Sequence, residues 1–250
     1  MALAPVPPLT SLSANPLDMS NWLLALSQVK MSVHGRDRLP PHQPLVVVSN
    51  HRSIMDAPLL MSAMGRPVRF ACHHYMSQVP GLRNVVSALG CLPLDAPGKG
   101  QTAFFRRAMT ALGNGEALGI FPEGAAPMVN KTTPDNLNSF HRGFAHLALR
   151  APVEELVIVP VAIAAHRETT NSVVPLRWLS IFDASEPLFQ QPGWHPAVFY
   201  QEVDLLIGRP VRVDGRLRSR YRTKGTSSLA TELTQCCEDE VARLLKQGHY

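Results

Sequence analysis

The sequence predicts an α/β fold, a single domain with a largely parallel mixed sheet flanked by helices. Three observations lead there. Short, wholly apolar runs such as Leu45–Val48 and Ala117–Phe121 have the character of strands buried on both faces. Segments with helical periodicity separate these runs, which implies right-handed crossovers and parallel pairing. The chain has 250 residues, 45% hydrophobic and 17% charged, enough for one large core and too apolar for a disordered chain.

Residues 1–19 contain Pro5, Pro7, Pro8 and Pro16 and predict a poorly ordered leader. Met19–Val29 follows as a short helix with Trp22, Leu23, Leu26 and Val29 apolar, capped by Asp18 or Ser20. That helix either covers an edge of the core or anchors at a membrane interface through Trp22. Residues 1–30 are thus a leader with a short amphipathic helix, and 31–250 form the main domain. Within it, Leu45–Val48, Val68–Ala71, Cys91–Leu94, Ala117–Phe121 and Leu156–Ala164 read as strands. Ala57–Met64, Leu82–Leu89 and Thr102–Leu112 read as the intervening helices, the last with Phe104, Ala108, Ala111 and Leu112 on one face. Val198–Ile207 is a candidate for a later, antiparallel strand, and a helix over Leu229–Leu245 closes the chain.

The net charge is +5, and it is local. Between Arg209 and Lys224 lie Arg209, Arg212, Arg216, Arg218, Arg220, Arg222 and Lys224, opposed only by Asp214. The stretch reads first as a solvated loop and second as a contact for an anionic membrane surface. Nucleic acid is not an expected partner, because Tyr221 is the only interleaved aromatic residue and no binding motif accompanies it. Four cysteines without paired spacing suit a reducing intracellular setting. No secretory signal is recognisable, and no run approaches the roughly 20 apolar residues that span a bilayer. The expected placement is peripheral, on the cytoplasmic side of a membrane. Cys72, His73 and His74 lack a second ligand pair, so no metal is expected. The absence of Gly-x-Ser-x-Gly argues against a serine hydrolase with a nucleophile elbow.

In a parallel α/β sheet, ligands bind beyond the carboxyl ends of the strands. Two such ends carry reactive residues. Ser49-Asn50-His51-Arg52-Ser53-Ile54-Met55-Asp56 follows the first strand, and Pro122-Glu123-Gly124 follows Ala117–Phe121. A tight turn into a helix would let Asp56 accept the His51 Nδ1–H, leaving Nε2 as a general base for a hydroxyl.

The two motifs resemble the first and third motifs of the glycerolipid acyltransferase family, which includes the 1-acylglycerol-3-phosphate O-acyltransferases and other lysophospholipid acyltransferases. Gly90-(x)₃-Leu94-Asp95 is similar to the second motif and Val157-Ile158-Val159-Pro160-Val161 to the fourth. Phe140-His141-Arg142-Gly143 is a familiar intervening element. The ordered set covers about residues 31–215. The resemblance implies a phospholipid-biosynthetic enzyme without a cofactor, using acyl-CoA or acyl-carrier protein as co-substrate and a lysophospholipid as acceptor. His51 and Asp56 would be catalytic, with Glu123 and Gly124 positioning the acceptor. A stabiliser of the developing oxyanion is also required.

Two departures bear on the acceptor. The family's second motif commonly continues with arginine where this chain has Ala96. Its third continues Thr-Arg-Ser where this chain has Ala125-Ala126-Pro127. Both arginines bind the acceptor's phosphate in the family. Either Arg52, Lys131 or Arg142 supplies that charge, or the acceptor is a diester lysophospholipid or a non-phosphorylated alcohol. The rival from another class is a non-catalytic relative that binds lipid or a partner.

Overall fold

A computed structural model of the chain describes residues 15–248, apart from 42, 80, 97–99, 131, 180–186, 191 and 224–225. In chain order the elements begin α1 (Pro16–Ser27), β1 (Lys30–His34), β2 (Leu45–Ser49), α2 (Asp56–Met64), β3 (Val68–Cys72) and α3 (Leu82–Ala88). Then come β4 (Leu92–Pro93), α4 (Thr102–Gly113), β5 (Ala117–Ile120), the single turn α5 (Ala126–Val129) and α6 (Gly143–Arg150). The last are β6 (Leu156–Pro175), the short α7 (Leu176–Leu179), β7 (Trp194–Ile207), β8 (Val211–Val213), α8 (Gly215–Thr223) and α9 (Thr226–Gly248).

The strands form one sheet in the order β1-β7-β6-β2-β5-β3-β4, with β8 beside the start of β6. Strands β6, β2, β5, β3 and β4 are mutually parallel. β7 and β8 run antiparallel to β6, and β1 runs parallel to β7. The mixed, largely parallel sheet matches the sequence reading. Every residue of β2 is buried, because side chains alternate between two covered faces. Val46, Val48, Leu118 and Ile158 meet α4, α6 and α9 on one face. Leu45, Val47, Val159 and Val161 meet α1 and α2 on the other. Burying each such side chain is worth roughly 1.5–3 kcal/mol, which makes β2 a rigid platform for the residues that follow it.

Three elements differ from the sequence reading. The first helix starts at Pro16, with Asn15 Oδ1 accepting from Leu17 N at 3.0 Å; Asn15, rather than Asp18 or Ser20, is the cap. Proline suits the first helical position because its missing N–H had no partner to lose, so Pro16 belongs to the helix instead of the leader. Buried Leu24, and a Ser20 hydroxyl 3.2 Å from Met61 Sδ, dock α1 against α2. Second, β6 runs on past Ala164 to Pro175, pairing with β7 as a long two-stranded arm. Third, the basic stretch is not a loop: it supplies β8 and α8. Arg218 in α8 is buried and donates to the carbonyls of Val153 and Glu154.

Candidate active site

The turn between β2 and α2 is fixed by side chains standing in for backbone. Asn50 Oδ1 accepts from Ile163 N at 2.8 Å, and Asn50 Nδ2 donates to Ile163 O at 3.0 Å. The amide thus adds a rung to the β2–β6 ladder while its own backbone turns away. Asp56, at the first position of α2, is fully buried, and its Oδ2 accepts from the backbone N–H groups of Arg52 (2.7 Å) and Ser53 (2.8 Å). The same oxygen lies 2.8 Å from His51 Nδ1. An oxygen already accepting two N–H bonds acts as an acceptor, which places the ring proton on Nδ1 and the lone pair on Nε2. Among the described residues Nε2 has no hydrogen-bond partner, and the His51 side chain is 20% exposed. The dyad expected from the spacing is formed.

The imidazole is also held by its face. Phe121 stacks on it with centroids 3.9 Å apart and planes 10° apart, and Phe70 stacks on Phe121 at 5.3 Å. Phe70 in turn lies over Gly119, its neighbour across the β3–β5 pair. A Cβ at Gly119 would come within 2.2 Å of the Phe70 ring. The absent side chain on β5 therefore sets the height of the stack that orients the base.

Parallel pairing of Val48 with Ile120 brings Glu123 beside His51, as expected from the two strand ends. Its carboxylate serves backbone: Oε1 accepts from His51 N at 3.0 Å and Oε2 from Asn138 N at 2.7 Å. Burial pushes the Glu123 pKa up, against the pull of those two N–H bonds. Glu123 was expected to position the acceptor; what the structure shows is a brace between two loops, each carboxylate oxygen accepting one backbone N–H. Pro122 and Glu123 occupy the centre of a turn closed by Gly124 N donating to Phe121 O, and Gly124 itself has φ +74°, the left-handed region that favours glycine.

Arg52 also departs from expectation. Its guanidinium makes two bonds to Glu168 on β6, at 2.7 and 2.8 Å, and two more to Thr132. Burial alone would lower its pKa; the Glu168 bonds and charge reverse that and leave it raised. The charge is consumed inside the protein and is not available to an acceptor phosphate. Arg142 lies on the surface at the start of α6 and donates to Thr231 Oγ1 on α9. Lys131 falls outside the described residues. Sequence reading missed two contributors from the arm. The Ser53 hydroxyl donates to Val198 O at 2.6 Å. The buried Tyr200 phenol on β7 faces Asp56, and burial, then the carboxylate's charge, push its pKa well up. It stays protonated and faces the carboxylate, whose Oδ1 accepts no hydrogen bond among the described residues. Neither residue belongs to a motif; only the β6–β7 pairing reveals them.

A histidine held by a buried carboxylate at the carboxyl edge of a mixed, mostly parallel sheet defines an α/β protein with an imidazole nitrogen presented at a strand end. Comparison supplies the family. The acyltransferase family model matches residues 30–164, a span that includes the dyad and Glu123, and the chain belongs to the glycerolipid acyltransferase family. It is 29% identical over 142 residues to human 1-acyl-sn-glycerol-3-phosphate acyltransferase alpha, covering 56% of this chain and 47% of that protein. It is 28% identical over 148 residues to a chloroplastic 1-acyl-sn-glycerol-3-phosphate acyltransferase of Arabidopsis thaliana, covering 58% of this chain and 38% of that one. The matched region thus spans less than half the length of these relatives. The crystal structure of the 1-acyl-sn-glycerophosphate acyltransferase PlsC from Thermotoga maritima superposes with a TM-score of 0.59 at 21% identity. The superposition covers 93% of this chain and 77% of that one, and it shows a shared fold.

Proposed function

We propose that this protein moves a fatty acyl group from a thioester donor, acyl-CoA or acyl-carrier protein, to the hydroxyl of a lysophospholipid. The proposed acceptor is 1-acyl-glycerol-3-phosphate and the product phosphatidic acid. The observation that carries the reading is the His51–Asp56 pair, with Nε2 unpartnered among the described residues and the His51 side chain partly open to solvent. His51 Nε2 takes the acceptor's hydroxyl proton as the oxygen attacks the thioester carbonyl. Asp56 steadies the imidazolium that results. The tetrahedral intermediate collapses with loss of the thiolate, which recovers the proton from His51. Glu123 acts through the backbone it holds, and Gly124 through the turn it permits. Exposed Ile54, at the tip of the same turn, offers an apolar contact to an acyl chain.

A second reading is favoured by the commitment of Arg52 to Glu168 together with Ala96, Ala125 and Ala126. With those charges absent from the acceptor side, a diester lysophospholipid or a non-phosphorylated lipid alcohol would replace lysophosphatidic acid. Purified protein given acyl-CoA and an acceptor panel decides between them. Transfer to lysophosphatidic acid, abolished in His51→Ala, supports the first reading; transfer only to a phosphate-free alcohol supports the second. Tight liposome binding without transfer to any acceptor would replace both with a lipid-binding role.

Among the described residues no helix is long and apolar enough to cross a membrane. We place the protein peripherally, on the cytoplasmic side, against an anionic surface met by Arg212, Arg216, Arg220 and Arg222, all solvent-facing. Each basic residue near such a surface contributes about 1 kcal/mol. Changing the four to glutamine should release the protein from anionic liposomes; undiminished binding would remove this face from the reading.

A further inference from the structure

The carboxyl edge of the parallel strands, where His51 emerges, also carries most of the large apolar side chains that the fold leaves in solvent. Among the described residues these are Leu26, Ile54, Val85, Trp178, Trp194 and Phe199, the two tryptophans at 65% and 57% exposure. All but Val85 trace to this edge. Ile54 stands in the turn after β2, and Phe199 on β7 adjoins that turn through the Ser53–Val198 hydrogen bond. Trp194 opens β7 opposite Pro175, the last residue of β6, and Trp178 lies in α7 just beyond. β6 pairs with β2 only as far as Val161, so the rest of the arm projects past the end of β2. Leu26 lies in the last turn of α1. The strand that follows, β1, begins level with Glu202 and Arg167, again beyond β2.

The far end of the arm is held in place. Leu176 and Phe189 are buried with Tyr75, which follows β3, packed against them; the Tyr75 and Phe189 rings are 4.9 Å apart. In the order β6-β2-β5-β3 the arm therefore crosses the carboxyl ends of β2 and β5. Its tryptophans belong to the rim around the proposed base.

We infer that this edge docks on a lipid bilayer, with Trp178 and Trp194 in the headgroup layer and the His51 turn facing the membrane. The inference rests on the peripheral acyltransferase reading above. Three features choose a bilayer over a protein partner. The apolar residues come singly from separate elements, with exposed Thr169, Asn171 and Ser172 among them. A bilayer accepts scattered side chains, whereas a stable protein interface needs a contiguous, complementary area. Indole joins a large apolar body to one N–H, which favours the boundary between acyl chains and water. Finally, exposed Lys30 and Arg167 stand on either side of Glu202 at this edge, a net positive border whose apolar stems lie along lipid while the charges reach headgroups. An acceptor anchored by its own acyl chain then reaches His51 without leaving the membrane.

Binding of the whole protein to vesicles of pure phosphatidylcholine tests this edge apart from the basic face. α8 lies at the other end of β6, where Arg218 holds the carbonyls of Val153 and Glu154, and its arginines need anionic lipid. The wild type should partition into the neutral vesicles, and brominated phosphatidylcholine should quench its tryptophan emission. Trp178→Ala combined with Trp194→Ala should weaken partitioning at least about tenfold, the scale of burying one large apolar side chain, with an unchanged melting curve. Changing Arg212, Arg216, Arg220 and Arg222 to glutamine should leave it unaltered. A wild type that neither partitions nor is quenched, or undiminished partitioning in the tryptophan variant, would overturn the inference. So would a lipid-free dimer in sedimentation velocity that the tryptophan variant abolishes, because the edge would then belong to a second copy. Vesicle binding that depends on the tryptophans in a protein that transfers to no acceptor would sink the proposed function and leave the docking edge standing. Transfer to a short-chain acceptor free in solution, without vesicle binding, would do the reverse.

Discussion

The two halves of the sheet divide the labour of the site. The parallel half supplies the proposed base: His51 follows β2, Phe121 and Glu123 follow β5, and β3 contributes Phe70 to the stack. The antiparallel half supplies restraint: Glu168 on β6 takes Arg52, while Val198 and Tyr200 on β7 take Ser53 and face Asp56. The first half is apolar; the second begins as apolar core and turns polar beyond Ala165, and its contacts to the turn span more than a hundred residues of sequence.

Substitutions can separate the halves. The largest effect belongs to His51→Ala, which should lower kcat by about 10²–10⁴-fold, the usual worth of a positioned general base, with a melting curve close to wild type. Full activity in that variant would end the mechanism. Next comes Glu168→Ala, which strands a buried guanidinium; the loss should approach 3 kcal/mol, the lower end for a broken buried pair, because Glu168 is 17% exposed. Urea denaturation measures it. The double variant Arg52→Met with Glu168→Leu should recover much of that stability, since no charge is then left unpaired. Equal destabilisation in single and double variants would show that the arm contributes through packing alone.

Gly119→Ala tests the parallel half by itself. Displacing Phe70 should cost about 1–3 kcal/mol, as overpacking does, and kcat should fall because the stack beneath His51 shifts. An unchanged kcat would disconnect Gly119 from the base. The smallest effect lies farthest from the site, at Glu240. Its pKa is held down to about 2 by hydrogen bonds from Arg243 and then, against burial, by Arg209. A depressed carboxylate contributes stability that is fully present above the unfolded-state pKa and disappears as pH falls through about 2. Glu240→Gln should flatten that part of the stability profile between about pH 4.5 and 2, leaving the neutral region less stable than wild type by a constant amount.

The division also explains what the sequence disclosed. Leu45–Val48 and Ala117–Phe121 were legible as strands because burial on both faces leaves an uninterrupted apolar run, and the motifs after them acquired meaning from their place at strand ends. The reach of β6 beyond Ala164 was not legible. From His166 to Ser172 its residues are largely polar and face solvent, and only pairing with β7 makes them a strand. Arg52 read as an acceptor contact for the same reason: its partner Glu168 is 116 residues away and lies in no motif. Arg218 was hidden among exposed arginines, where charge density says nothing about which one turns inward to cap carbonyls.

The Asn50 amide has a consequence for the timing of the proposed catalysis. By standing in for a peptide unit opposite Ile163, it ties the residue before the base to the most central hydrogen-bond network in the molecule. The base's place is thus settled when β2 and β6 zip together, and little orientational freedom remains to be surrendered when a hydroxyl arrives. On the proposed mechanism, an arriving lipid would meet a proton acceptor whose ordering was completed during folding.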